Sequence, residues 1–170
     1  MSAGATHEGR QEGTRFRGWG GLLVSLGACF AAAWFGGLFT GPAIPTWYAS
    51  LNKPWWTPPN WLFGPVWTLL YVSMAVAAWL VWRRRGVGGA APQLGLFAAQ
   101  LALNALWSLL FFGLRDPGLA FAEILLLWLA ILATALSFRR VSRPAAMLMA
   151  PYLLWVTYAV ALNFEIWRAN

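Results

Sequence analysis

Five apolar runs of about twenty residues, parted by charges, prolines and glycines, constrain this 170-residue chain more than any other feature. A hydrocarbon core about 30 Å thick takes roughly 20 apolar residues of helix, at a rise of about 1.5 Å each. The runs fall at about 18–40, 63–82, 93–113, 118–138 and 145–167. Composition agrees: 60% of residues are hydrophobic and only 10% charged, against roughly 25% charged in soluble domains. The expected fold class is therefore an all-α integral membrane protein, a bundle of five transmembrane helices, with no internal repeat and no second domain.

The formal net charge is +7, which in a soluble protein would point to nucleic acid. Here the basic residues stand in short groups between apolar runs, where they act as topology signals and not as a nucleic-acid surface. Arg10, Arg15, Arg17, Arg83, Arg84, Arg85, Arg139, Arg140 and Arg143 collect on one side, and Lys53, Arg115 and Arg168 on the other. By the positive-inside rule the N-terminus faces the cytoplasm, and the long first loop and the C-terminus face the opposite, periplasmic side. Residues 1–17 are too polar to build a core and are expected to form a disordered cytoplasmic tail. No convincing cleavage site separates them from the first apolar run.

Three of the four connections are short, at 86–92, 113–118 and 141–144, and short connections make antiparallel neighbours. The first, about 41–62, is long and carries Pro42, Pro45, Pro54, Pro58 and Pro59 with Trp47, Trp55, Trp56 and Trp61. Prolines fix their own φ and restrict the residue before them, so a rigid folded loop at the membrane surface is expected.

Polar groups at membrane depth are costly and each is a functional candidate. Gln100, Asn104 and Trp107 share one helical face at i, i+4 and i+7. Tyr152, Trp155, Ala159 and Asn163 form a second stripe on the last run. Two readings stay open for the amides, hydrogen-bonded glue between helices or the lining of a cavity. Glu123, about five residues into the fourth run, reaches the interface or pairs with Arg115 in one reading and serves the site in the other. Of the 13 tryptophans, Trp19, Trp79, Trp82, Trp128 and Trp167 suit interfacial belts or packing. Trp47, Trp56, Trp61, Trp67, Trp107 and Trp155 are the site candidates. Indoles together with prolines such as Pro58 and Pro59 suit a flat, apolar, aromatic ligand held by stacking and buried area.

Other chemistries find little support. Cys29 is the one cysteine and His7 the one histidine, which argues against a disulfide, a thiolate cluster or a His-built metal site. No Walker loop, GxGxxG after a strand, HExxH, CxxC or GxSxG elbow is present. No run carries a ladder of charges such as an ion path would use.

The stretch Trp47-Tyr48-Ala49-Ser50-Leu51-Asn52-Lys53-Pro54-Trp55-Trp56-Thr57-Pro58-Pro59, continued by Phe63-Gly64-Pro65-Val66-Trp67-Thr68-Leu69-Leu70-Tyr71, resembles the signature of the translocator protein family. These are the tryptophan-rich sensory proteins, also called peripheral-type benzodiazepine receptor homologues. Gln100-Leu101-Ala102-Leu103-Asn104-Ala105-Leu106-Trp107 with Phe111-Phe112-Gly113, and Pro151-Tyr152-Leu153-Leu154-Trp155 through Leu162-Asn163-Phe164-Glu165, are similar to two further blocks of a bacterial-type member. The resemblance covers roughly residues 20–170.

It implies a five-helix bundle, commonly a homodimer, with a ligand cavity capped by the first loop. It implies binding of porphyrins such as protoporphyrin IX, of sterols and of synthetic benzodiazepine-type ligands, with no cofactor required. Carried onto this chain, the cavity positions would be Trp56, Trp67, Asn104, Trp107, Leu119, Trp155, Ala159 and Leu162. Asn163 belongs to the same stripe. Phe164 stands where the sterol pattern of animal members has tyrosine, which lowers the expectation of sterol binding. Gly95, Ala98, Ala99 and Ala102 give small-xxx-small spacing for either a dimer contact or close packing inside one bundle. Three functions follow as alternatives: a receptor or carrier for porphyrins tied to tetrapyrrole or stress regulation, a light- and oxygen-dependent porphyrin-degrading enzyme using Trp67 and Trp155 as its catalytic residues, or a structural membrane protein with an incidental cavity.

Overall fold

The structure, a computed structural model, describes the backbone of residues 5–170 and the side chains of residues 18–170. The tail expected over residues 1–17 lies outside the residues whose side chains are described. Helix α1 runs Ala5–Ala43, α2 Trp47–Ser50, α3 Asn60–Gly89, α4 Ala91–Ser108, α5 Pro117–Arg139 and α6 Arg143–Ala169. A π-helical turn, Leu109–Gly113, continues α4. Among the described residues five helices are long and apolar enough to cross a membrane: Gly18–Ala43, Asn60–Gly89, Ala91–Gly113, Pro117–Arg139 and Arg143–Ala169. In lipid every backbone polar group has to be paired within the segment, and a helix is the simplest element that does so.

Local chemistry sets the ends. Asp116 starts α5 by accepting a hydrogen bond from Leu119 N at 2.9 Å, with Pro117 in the first turn. Ser142 starts α6 in the same way through Ala145 N at 3.4 Å, with Pro144 behind it. Both match the preference for a short polar cap followed by proline. Gly86 interrupts α3 with φ 69° and ψ 174°, a backbone region open to glycine, so the regular helix ends at Arg85. The expected end at residue 82 falls one turn short, since the long aliphatic stems of the arginines let the helix continue while their heads reach water.

The helices close a ring in the order α1, α3, α6, α5, α4 and back to α1. The short α5–α6 connection does make antiparallel neighbours. The still shorter α3–α4 connection, Ala90 alone, mostly does not: α1 packs against both helices. Helices α3 and α4 meet across the interior through long side chains, Tyr71 with Asn104 and Met74 with Gln100. The core holds Met74, Ala75, Ala77, Ala78 and Val81 of α3 against Ile124, Leu127 and Ile131 of α5 and Met149, Tyr152 and Val156 of α6. Small residues on α3 allow close approach, which is what van der Waals packing in lipid requires.

Six arginines, Arg83–85 with Arg139, Arg140 and Arg143, stand at one end of the bundle, and Arg84 Nη1 joins the two groups by donating to Val141 O at 2.8 Å. The first loop, Arg115 and Arg168 occupy the other end.

Candidate functional site

Beneath the first loop the bundle encloses a cavity of about 570 Å³, within the roughly 300–1,000 Å³ range of small-molecule pockets. Its walls come from α1, α2, α3, α4, the π-turn and α6, and α5 supplies none of it. Four indoles, Trp34, Trp67, Trp107 and Trp155, share the wall with Phe30, Phe63, Phe111 and Phe112. The rings interlock. Trp107 stacks on Phe111 at 5.0 Å between centroids, Trp67 lies 5.6 Å from Tyr71 and 6.1 Å from Tyr152, and Trp155 lies 6.2 Å from Phe63 and 5.8 Å from Tyr158. Offset and edge-on pairs of this kind fix the rings in place.

Most polar side chains of the wall are already hydrogen-bonded within the protein. Asn104 Oδ1 accepts from the Tyr71 hydroxyl, and Asn104 Nδ2 donates to the Tyr152 hydroxyl at 3.0 Å. Asn163 Oδ1 accepts from Trp107 Nε1 at 3.0 Å, while its Nδ2 donates to Pro117 O at 2.7 Å. Tyr158 donates to Trp56 O at 2.8 Å, Thr40 to Gly36 O and Thr68 to Gly64 O. So the two readings of the amides coincide: Asn104 and Asn163 line the cavity and also bond helix to helix. Tyr48 differs. It is 3% exposed, it lines the cavity, and its hydroxyl has no hydrogen-bond partner. Burial first, and the neighbouring Tyr158 second, push that hydroxyl from its ordinary pKa of 10.0 up to about 12. At neutral pH it is a protonated donor facing the cavity.

Of the site residues read from the sequence, Trp67, Asn104, Trp107, Trp155, Ala159, Leu162 and Asn163 meet at this one cavity. Trp56, Pro58 and Pro59 do not. After α2 the chain crosses over α6, held by the Tyr158 bond, and these three line a separate open groove on the outside of α3 and α6. Trp155 and Tyr158 belong to both walls. Leu119 also falls outside: it is 49% exposed in the first turn of α5, a helix packed behind α4 and α6. Trp61 is 72% exposed and lines neither space, whereas Trp47 packs edge-on to Phe111 at 5.5 Å as part of the roof. Gln100 lies deeper, fully buried, its Nε2 on Met74 Sδ at 3.7 Å.

Glu123 neither reaches the interface nor pairs with Arg115. It is 6% exposed, and both carboxylate oxygens lack a hydrogen-bond partner. Its place on the inner face of α5, beside Ile124 and Leu127, keeps it from solvent. Among the described residues no group of three or more His, Cys, Asp and Glu side chains is placed to hold a metal ion.

The sequence reading passed over the whole of α1, which supplies Phe30, Trp34 and Thr40 to the wall, and also Tyr48 and Tyr158. The available signal was glycine spacing: Gly36, Gly37 and Gly41 thin α1 where the cavity meets it.

Together the fold and cavity define a class, a multi-pass α-helical membrane protein with an aromatic-lined internal pocket. Residues 25–168 match the TspO/MBR family, and the chain belongs to it. It is 42% identical over 153 residues to the Tryptophan-rich protein TspO of Chlorobaculum tepidum, covering 88% of this chain and 95% of that protein. It is 43% identical over 152 residues to the Tryptophan-rich sensory protein of Cereibacter sphaeroides, covering 89% and 92%. Against the Translocator protein of Homo sapiens the identity is 44% over 151 residues, covering 88% and 86%.

Proposed function

We propose that the protein is a membrane receptor or carrier that holds a flat hydrophobic ligand of the porphyrin kind, protoporphyrin IX being the ligand to try first, in the cavity under the first loop. One observation carries the reading: a cavity of about 570 Å³ whose wall is mostly rings and whose Asn104 and Asn163 amides are already bonded to Tyr71, Tyr152, Trp107 and Pro117. Such a wall offers stacking and apolar area, with the Tyr48 hydroxyl as a polar contact for the ligand's edge. A planar macrocycle whose few polar groups sit at its edge suits that surface better than a heavily hydroxylated solute. The positive-inside rule, applied to the arginine end, puts the cavity's end of the bundle on the periplasmic side. Regulation of tetrapyrrole or stress responses and assembly as a homodimer, with lipid around it, complete the proposal.

Protoporphyrin IX titrated in darkness into purified protein in detergent should quench tryptophan emission saturably. Ala159→Phe, which adds a ring inside the wall, should weaken that quenching by about ten-fold or more. Absence of saturable quenching in the parent protein would remove the reading.

A second reading, oxidative breakdown of the porphyrin by light and oxygen, draws on Trp67 and Trp155 lining one cavity. Illumination of the complex decides it. Protein-dependent loss of the porphyrin bands that disappears when both indoles are replaced by Phe would favour the enzyme, and stable bands the receptor.

A further inference from the structure

We infer that the cavity exchanges its ligand sideways with the bilayer, through a mouth between α1 and α3. The inference rests on the reading of the cavity as a ligand site, and it commits the ligand to a class: molecules dissolved in the membrane leaflet under the first loop.

The path of α1 makes the mouth. At the arginine end α1 is sutured to α3: a Cβ on Gly21 would sit 3.3 Å from the Trp82 ring, Trp79 Nε1 donates to Gly18 O, and Trp19 stacks on Trp79. At the other end α1 leans on α4 instead. A Cβ on Gly36 would come within 2.9 Å of Ser108 Oγ, and the Phe39 ring lies 3.0 Å from the Cβ position of Gly113. A helix that touches α3 low down and α4 high up leaves a wedge beside the upper part of α3. The exposure pattern agrees: every exposed residue of the cavity wall lies on α1 or α3, among them Trp34, Gly37, Gly41, Gly64 and Thr68. Trp34 is 68% exposed although it is a wall residue. Side chains at Gly37, Gly41 and Gly64 would meet nothing within 4 Å, so no packing spans the gap there.

The aqueous side, by contrast, is tied shut. Lys53 Nζ bonds the carbonyls of Tyr48, Leu51 and Ala49 at 2.6, 3.1 and 3.4 Å, closing the end of α2. Asn52 and Asn170 clasp each other: Asn52 N donates to Asn170 Oδ1 at 2.9 Å, and Asn170 Nδ2 donates to Asn52 O at 3.1 Å. Tyr48 and Trp47 pack on Phe111 beneath. Lifting the roof off α6 breaks the Asn52–Asn170 bonds, whereas among the described residues no hydrogen bond joins α1 to α3 beside the mouth, their one bond lying at the arginine end. For an apolar ligand the lateral route also avoids crossing water, in which its apolar surface is unfavourable.

The test needs no ligand. In liposomes, the thiol introduced into the wall by Ala159→Cys should react quickly with lipid-soluble N-benzylmaleimide and slowly with a trimethylammonium methanethiosulfonate, and the buried Cys29 gives the background in the parent chain. Adding Gly64→Phe at the lip should slow the benzylmaleimide reaction by about ten-fold, since access to a closed site governs such rates. Gly41→Phe on the opposite lip repeats the test should Gly64→Phe fail to fold. Asn170→Ala, which removes the side chain that holds the Asn52 backbone and so unties the roof, should leave the rate as it was. Equal labelling by the charged reagent, or an accelerating effect of Asn170→Ala, or no effect of either lip variant, would overturn the lateral route. Protoporphyrin IX then serves separately. If it fails to bind while the thiol results hold, the porphyrin reading falls and the mouth stands.

Discussion

Tyr48 and Asn104 show how differently two polar groups on one wall can be used. Asn104 satisfies two phenols at once, so Asn104→Leu strands the Tyr71 and Tyr152 hydroxyls in the core. A buried donor without a partner costs about 1–3 kcal/mol, and bonds inside membrane bundles are worth somewhat less than that. Thermal unfolding in detergent should therefore show a loss of about 1–2 kcal/mol for Asn104→Leu. The Tyr48 hydroxyl has no protein partner to lose, and Tyr48→Phe should instead weaken a ligand that carries an acceptor, by about ten-fold for one neutral hydrogen bond. The same hydroxyl sets a pH dependence. Its folded-state pKa is raised from 10.0 to about 12, so the fold binds this proton more tightly than the unfolded chain does. The corresponding stability is fully present below pH 10 and is lost as pH rises from 10 through 12. Alkaline unfolding should show a steeper fall for the parent than for Tyr48→Phe across that window, and identical slopes would mean that Tyr48 is not the group responsible.

Among the elements, α1 and α5 have opposite parts, and neither was fully legible in the sequence. The spans themselves were readable because apolar runs and charges alternate sharply. The cavity faces of α4 and α6 were readable because Asn104, Trp107, Trp155 and Asn163 stand out at helical spacing from an aliphatic background. Helix α1 has no such contrast: its wall residues Phe30 and Trp34 are as apolar as the lipid-facing Leu23 and Phe35. Only the tilt of α1 from α3 to α4 tells them apart, and tilt is a tertiary property. Leu119 lies off the wall for the reverse reason, since position in a family pattern does not say whether α5 reaches it. Leu119→Ala is accordingly expected to leave porphyrin affinity within about two-fold, in contrast to Ala159→Phe. Gly36→Val, pressed onto Ser108, should cost about 1–3 kcal/mol by overpacking the α1–α4 seam. Unaltered stability in a melting experiment would show that the seam can give way.

Across the whole molecule, the site depends on ring closure and not on any one helix. Four of the five membrane-spanning helices contribute wall, and α5 holds α4 and α6 at their spacing from behind. The ring order has a bearing on how the protein is made. Chains emerge N-terminus first, so α1 is already in the membrane when α3 and α4 arrive on either side of it, and α5 then extends the open arc from α4. Until α6 enters between α3 and α5 the arc has a free edge, with the α5 face that carries Glu123 turned toward lipid. Helix α6, which follows α5 out of the ribosome, thus does two things at once: it buries that carboxyl and delivers Tyr152, Trp155, Ala159, Leu162 and Asn163. During biogenesis the aromatic wall is therefore completed only when α6 arrives, and a nascent chain halted before Arg143 would present a membrane quality-control system with an open arc of helices, acid side out.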